Sequence, residues 1–356
     1  MDPDIKQLMA DMGEKNASDL HVVPNLQPRY RVDGDIVTAE PTQLSAEDSR
    51  RMTLSLLNDQ QKEQLRNNKE LDLSVGIEGE GRYRVNIYFH QGNISAAIRR
   101  LPEEIPDFDD LGLPPSVMQD LCQKNWGLVL VTGPTGSGKS TTMASMIDLI
   151  KKARADHIVC IEDPVEYVHE SDRGIVHQRE VGEDTLSFAS ALKYVLRQDP
   201  DVVQIGEMRD LETVRSVLRV AETGHLAVST LHTNTAVATI NRIIDIFPPG
   251  EQEQVRVQLA SVLEAVISQR LLTRADGEGR VLTCEVMRAT PAIRNLIREV
   301  QTEQIYSQIQ MGSSLGMQTM NSSLAQLFRE GKITEESAKN MSPDLKELNR
   351  LLEAGS

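Results

Sequence analysis

The chain has 356 residues, with 38 Lys and Arg against 53 Asp and Glu, a formal charge of -15, 39% hydrophobic residues and 3% aromatic residues. At roughly 100–200 residues per domain the length fits about two domains, and the hydrophobic share excludes a wholly disordered chain. The acidic balance and the few aromatics count against a nucleic-acid substrate, which calls for a basic footprint and stacking platforms.

After a short helical stretch, Ser18-Asp19-Leu20-His21-Val22-Val23 reads as a strand. Arg29-Tyr30-Arg31-Val32, Asp33-Gly34 and Asp35-Ile36-Val37 read as a hairpin, because Asp-Gly tolerates the positive φ of a tight turn. Residues 45–68 are helix-like and highly charged. A second hairpin rises from Arg82 to Gln91, turns at Gly92-Asn93 and returns from Ile94 to Arg100. With that turn Gln91 pairs with Ile94 and Asn86 lies opposite Arg99; alternation then puts Arg82, Arg84 and Arg99 on one face. Pro102, Pro106, Pro114 and Pro115, with acids between them, mark 102–116 as a linker between domains at 1–101 and 117–356.

From about residue 117 apolar strands alternate with amphipathic helices, the pattern of a parallel sheet in an α/β fold. Strands are expected at 128–132, 158–161, 202–205 and 226–230. A helix over 211–222 carries Leu211, Val214, Leu218 and Ala221 on one face, a second long helical pattern covers 251–271, and the chain from about 290 reads as mostly helical.

The strand 128–132 runs directly into Gly133-Pro134-Thr135-Gly136-Ser137-Gly138-Lys139-Ser140-Thr141, which fits G-x-x-x-x-G-K-[ST] between a buried strand and a helix. The glycines let the backbone N–H groups turn inward onto phosphate oxygens, and the helix that follows adds the positive end of its dipole. Lys139 is expected on the β- and γ-phosphates of ATP and Ser140 on Mg²⁺. The strand 202–205 ends in Gly206-Glu207-Met208-Arg209-Asp210, so Glu207 is the candidate base or water-orienting residue, on a strand expected beside the phosphate loop. The strand 158–161 delivers Glu162 and Asp163, candidates for holding Mg²⁺ through water. His225 and His232 flank the strand 226–230. His232, at its C-terminal end, is the candidate γ-phosphate sensor; His225 fits a structural role equally well. Gln204 interrupts an otherwise apolar strand as an amide expected to be half-buried and satisfied.

Cys122, Cys160 and Cys284 are scattered with no CxxC pair, which fits a reducing compartment and excludes a cysteine-rich zinc site. No apolar run approaches the ~20 residues of a membrane span. The start, Met1-Asp2-Pro3-Asp4, lacks the basic-then-apolar pattern of a signal peptide, so the expected location is cytoplasmic.

Together these segments resemble the secretion ATPase superfamily that powers type II secretion and type IV pili: a Walker A motif over 133–140, an aspartate box over 158–169, a Walker B motif over 199–210 and a histidine box over 221–233. Ala292-Ile293-Arg294-Asn295-Leu296-Ile297-Arg298-Glu299 is similar to the segment associated with its retraction branch, and the likeness extends to Ser314-Leu315-Gly316-Met317-Gln318-Thr319-Met320 and Ala17-Ser18-Asp19-Leu20-His21. Read from its residues alone, 292–299 is a helix capped by Thr290 and started by Pro291, with an apolar stripe and solvated arginines. The resemblance implies an N-terminal PAS-like α+β domain joined to a RecA-like P-loop ATPase domain with a helical C-terminal region. It also implies a homo-hexamer that hydrolyses ATP with Mg²⁺ and acts on a platform protein of the inner membrane, in some systems beside a paralogous pilus ATPase. Arg84 and Arg99 then match arginines that reach the nucleotide as fingers; the alternative for them is surface pairing with the abundant acids. Missing CxxC pairs favour the retraction branch over the assembly and type II secretion ATPases. The accessory retraction paralogue, a DNA-translocating ATPase and a non-hydrolytic regulatory partner are the other readings.

Overall fold

The computed structural model describes residues 4–32, 34–77, 79–102 and 104–353; Met1, Asp2, Pro3 and the expected turn residue Asp33 lie outside them. The chain forms two units, one of Met1–Glu104 with Pro164–Val168 and one of Ile105–Asp163 with His169–Ser356.

The first unit holds strands β1 (Ala17–Val22), β2 (Arg29–Val32), β3 (Asp35–Thr38), β4 (Glu70–Ile77), β5 (Gly81–His90) and β6 (Asn93–Arg100). They pair antiparallel in the order β3-β2-β1-β6-β5-β4. One face buries Leu20, Tyr30, Tyr83, Val85, Ile87 and Ile98 with the helix Ile5–Glu14. The charged stretch 45–68 is two helices, Ala46–Leu54 and Asp59–Asn68, each started by a capping box, Ser45 with Asp48 and Asn58 with Gln61.

The second hairpin differs from its expected register. His90 pairs with Asn93, so the turn is Gln91-Gly92, with φ of 51° and 78°. Gly92 takes the second left-handed position of the turn instead of the first, and Gln91 takes the first. Arg84 therefore lies opposite Arg99, and Asn86 opposite Ala97. Moving the turn by one residue shifts each partner by two, so Arg82, Arg84 and Arg99 still share a face.

The second unit carries β7 (Gly127–Thr132), β8 (His157–Glu162), β9 (Ile175–Glu180), β10 (Val202–Ile205), β11 (Leu226–Leu231), β12 (Leu263–Thr273) and β13 (Arg280–Arg288). The sheet order is β13-β12-β7-β11-β10-β8-β9, parallel except for β13 on β12. Every residue of β7 is buried. Leu128 and Leu130 join one core, Val129 and Val131 the other, so the strand reads as an unbroken apolar run because both sheet faces are covered. The helix Lys139–Ala153 packs on one face and the helices Leu211–Glu222, Ala236–Asp245 and Gln252–Val262 on the other.

Two expectations are corrected here. The helix over 251–271 stops at Val262, and Leu263–Thr273 is β12, paired directly with β7. Its run is buried almost throughout, so neither period marks it, and no Gly or Pro separates it from the helix. The 102–116 segment is not a bare linker: Phe108 and Leu113 enter the core of the second unit.

Candidate functional site

Strand β7 releases the chain at Gly133, whose φ is 145° and whose added Cβ would lie 2.3 Å from the Gln269 carbonyl and 2.5 Å from Ser137 Oγ. Only glycine fits that approach. Gly138, with φ 87°, caps the helix Lys139–Ala153 without any side-chain hydrogen bond, so the first N–H groups of that helix are left to a ligand. Lys139 Nζ donates to the carbonyls of Gly133 (2.9 Å) and Pro134 (3.0 Å), curling the loop around it. Ser137 is buried, and its Oγ has no hydrogen-bond partner. A loop of inward donors, an orphaned hydroxyl and an uncapped helix end suit an anionic phosphate chain, and Ser140 in the first helical turn suits its Mg²⁺. Among the described residues no group of three His, Cys, Asp or Glu side chains is arranged to hold a metal. A P-loop does not need one, because the phosphates supply ligands of their own.

Next to β7 lies β11, then β10, then β8, so the strand carrying Glu207 is not the immediate neighbour of the phosphate loop. At about 4.8 Å per strand, β10 is about 10 Å from β7 and β8 about 14 Å. The backbone around Glu207 is pinned from both sides: Gly206 N–H donates to Ile161 O (2.8 Å), Met208 N–H to Thr230 O (3.0 Å), and Thr230 Oγ1 to Gly206 O (2.6 Å). Glu207 and His232 come together, with His232 Nε2 3.2 Å from Glu207 Oε2, and Arg209 pairs with Oε1 of the same carboxylate. The Glu207 side chain is 12% exposed, held between the Arg209 guanidinium and the His232 imidazole.

The carboxylate of Glu162 is buried at the end of β8 and accepts from Gln178 Nε2 (2.9 Å); Asp163 follows it and is exposed. His225 Nδ1 lies 3.1 Å from Thr223 Oγ1 and 3.2 Å from Val220 O, at the opposite end of β11 from His232. That is a structural setting. Gln204 is buried rather than half-buried, and its Oε1 has no partner. The three cysteines are free and buried; burial pushes the thiols of Cys122 and Cys284 up to about 12.

Arg84 and Arg99 belong to the first unit, on the sheet face opposite its core. Arg99 Nε donates to Asp19 Oδ1 at 2.8 Å, and Arg84 Nε lies 3.9 Å from Asp72 Oδ1. Arg84 is partly exposed and Arg99 exposed, and Arg82 donates to Ser74 Oγ (2.7 Å). Acids on the neighbouring strands thus relieve the repulsion of two guanidiniums placed directly opposite each other.

Two residues escape sequence reasoning. Arg294, expected as a solvated side chain, closes the C-terminus of the helix Gln252–Val262: it donates to the carbonyls of Ala260 (2.8 Å), Ser261 (2.7 Å) and Ala289 (2.9 Å) and to Glu264 Oε1 (2.6 Å). Its amphipathic position is visible in the sequence, but the helix-end carbonyls it meets are 33 and 34 residues away. Gln178, on β9, ties Glu162 to the backbone of His169, and no motif marks it.

Against known proteins, the family model described as Type II/IV secretion system protein matches residues 1–350. The type IV pilus retraction ATPase PilT of Pseudomonas aeruginosa is 45% identical over 336 residues, covering 94% of this chain and 97% of that protein. The type IV pilus ATPase PilU of the same organism is 37% identical over 353 residues, covering 99% and 92%. A crystal structure of the pilus retraction motor PilT with bound ADP superposes with a TM-score of 0.92 at 50% identity, covering 98% of this chain and 99% of that one. Among the described residues no helix is long and apolar enough to cross a membrane.

Proposed function

The chain belongs to the type II/IV secretion system protein family, and on that premise we propose that it is the ATP-hydrolysing motor of type IV pilus retraction and twitching motility. The likeness to the retraction ATPase exceeds that to PilU, and the absence of CxxC pairs separates it from assembly ATPases with a zinc-binding insertion. The observation that carries the hydrolytic reading is the contact between His232 and Glu207 at the sheet end toward which the phosphate loop opens.

In this reading Gly133, Pro134, Thr135, Gly136, Ser137, Gly138, Lys139, Ser140 and Thr141 wrap the phosphates of ATP, with Lys139 exchanging loop carbonyls for phosphate oxygens. Ser140 would hold Mg²⁺, with Glu162 and Asp163 reaching it through water, and the ion would neutralise charge on the phosphates. Glu207 orients the attacking water and takes its proton, and His232 senses the γ-phosphate while steadying Glu207. Arg84 and Arg99 leave Asp72 and Asp19 to stabilise the charge that builds on the transferred phosphoryl group.

The chain acts as a homo-hexamer in the cytoplasm at the base of the pilus, pushing on an inner-membrane platform protein, in some systems with a paralogous ATPase beside it. Nucleic acid is no substrate. The test is turnover of full-length protein with MgATP. Glu207→Gln lowers kcat by roughly 10² or more while ATP still binds; equal turnover in wild type and variant refutes the motor.

A further inference from the structure

Across the second sheet, register aligns four residues in one row: Glu285 on β13 opposite Ser268 on β12, Ser268 opposite Thr132 on β7, and Thr132 opposite Leu231 on β11. Thr132 precedes Gly133 of the phosphate loop and Leu231 precedes His232. The row is therefore the last rung of β7 and β11 before the nucleotide site, while β12 and β13 run on past it. Thr132 Oγ1 and Ser268 Oγ are 2.9 Å apart, a buried hydroxyl pair within it.

Glu285 is a carboxylate on an edge strand that is only 2% exposed, with no cation paired to it among the described residues. Its Oε1 accepts the N–H of Ala236 at 2.8 Å. Ala236 is the first residue of the helix Ala236–Asp245, four residues after His232. An acid suits a helix N-terminus, where an unsatisfied N–H meets the positive end of the dipole. The other ties on this turn are local: Thr235 Oγ1 accepts from Ala238 N–H (3.1 Å), and Thr233 Oγ1 lies 2.7 Å from Thr239 Oγ1. Those two fasten the turn to its own helix. Glu285 fastens it to the far side of the sheet.

We propose that Glu285 is a positioning residue for His232: by holding Ala236 N–H it fixes where the chain leaves β11, and so where the imidazole meets Glu207. It acts through the Ala236 backbone rather than on the reacting groups, and the inference rests on His232 acting in hydrolysis as proposed above. What matters is the reach of the acceptor, not its charge. Glutamine keeps a carbonyl oxygen at the same distance, whereas aspartate keeps the carboxyl group but falls one methylene short.

The test is steady-state ATPase kinetics and nucleotide binding of the full chain with Glu285→Gln, Glu285→Asp, His232→Ala and the Glu285→Asp, His232→Ala pair. Glu285→Gln retains most of kcat. Glu285→Asp loses about tenfold or more in kcat with nucleotide affinity little changed, since a misplacement of about 1 Å costs up to 10²-fold. Combined with His232→Ala, Glu285→Asp adds no further loss, as expected for two changes acting on one contact. Wild-type turnover in His232→Ala refutes the role of His232 itself. A defect in His232→Ala with none in Glu285→Asp refutes the positioning role, as does a Glu285→Asp defect that persists undiminished in the double variant. Loss of kcat in Glu285→Gln equal to that in Glu285→Asp shows that the carboxyl group is needed as well as the reach, and also overturns the proposal.

Discussion

Glu207 is held where a hydrolytic carboxylate is useful, at the end of β10, with its backbone stitched to β8 and β11 and its oxygens facing Arg209 and His232. At the same scale Gly133 is irreplaceable for a steric reason. A methyl group there meets the backbone carbonyl of Gln269 at 2.3 Å, and backbone cannot swing aside as a side chain can. Gly133→Ala therefore shifts the loop and weakens ATP binding at least tenfold, about 1.4 kcal/mol, measured by titration with a fluorescent nucleotide; unchanged affinity contradicts the packing described. Arg294 is the other residue whose cost can be stated. Arg294→Ala removes the donor to two carbonyls at a helix end and leaves the mostly buried Glu264 with Lys124, at 3.5 Å, as its one ion-pair partner among the described residues. Losing one partner of a mostly buried ion pair costs about 3 kcal/mol or more, read as a fall in the denaturant midpoint. A loss within about 0.5 kcal/mol is what a solvated surface arginine gives, and would exclude the capping role.

Among the elements, the second hairpin and β12 show what a sequence exposes and what it hides. The phosphate loop, β7, β10, β11 and the helix Leu211–Glu222 are legible because glycine chemistry, unbroken apolar runs and a 3.6-residue stripe are local signals. Turn register is also local, yet Gln91 takes a positive φ that its side chain gives no reason to expect. β12 stays hidden because its almost continuously buried run shows neither the helical nor the strand period, and pairing with β7 decides it. Strand order is non-local altogether: nothing in the sequence says that β11 comes between β7 and β10, so Glu207 reads as closer to the phosphate loop than it is. The face of Arg84 and Arg99 survives the register change, and with it a prediction. Arg84→Ala and Arg99→Ala keep ATP binding but lower kcat by on the order of 10³ or more, the worth of an arginine finger. Unchanged turnover in both leaves the pairs with Asp72 and Asp19 as their whole role.

The molecule as a whole is acidic, but its most perturbed groups lie inside it. Burial holds Glu285 up at about 7 from 4.5, opposed by the Ala236 hydrogen bond and reinforced by Glu347. Burial also holds His169 down at about 4 from 6.5, with Lys151 adding to the effect. The signs oppose. The raised acid contributes stability below its unfolded value of 4.5 that is lost as pH rises through about 7. The depressed histidine contributes stability above 6.5 that is lost as pH falls toward about 4. Each spans about 3 kcal/mol, so between pH 4.5 and 6.5 the two slopes cancel. Glu285→Gln removes one of them. Relative to wild type it gains about 3 kcal/mol between pH 5 and pH 8, followed by denaturant unfolding with Trp126, the single tryptophan, as the reporter. A pH-independent difference contradicts the buried, protonated Glu285.

Retraction itself is a property of the assembled machine, and it is there that the reading meets its plainest test. Cells that lack this chain are given back the wild-type protein or Glu207→Gln, and their surface pili are counted and followed by live imaging of labelled filaments. The expected result is abundant pili that extend but never shorten, both without the chain and with Glu207→Gln, and restored shortening with wild type. Cells without pili when the chain is missing would make it an assembly motor, and shortening driven by Glu207→Gln would show that hydrolysis at this site does not power it.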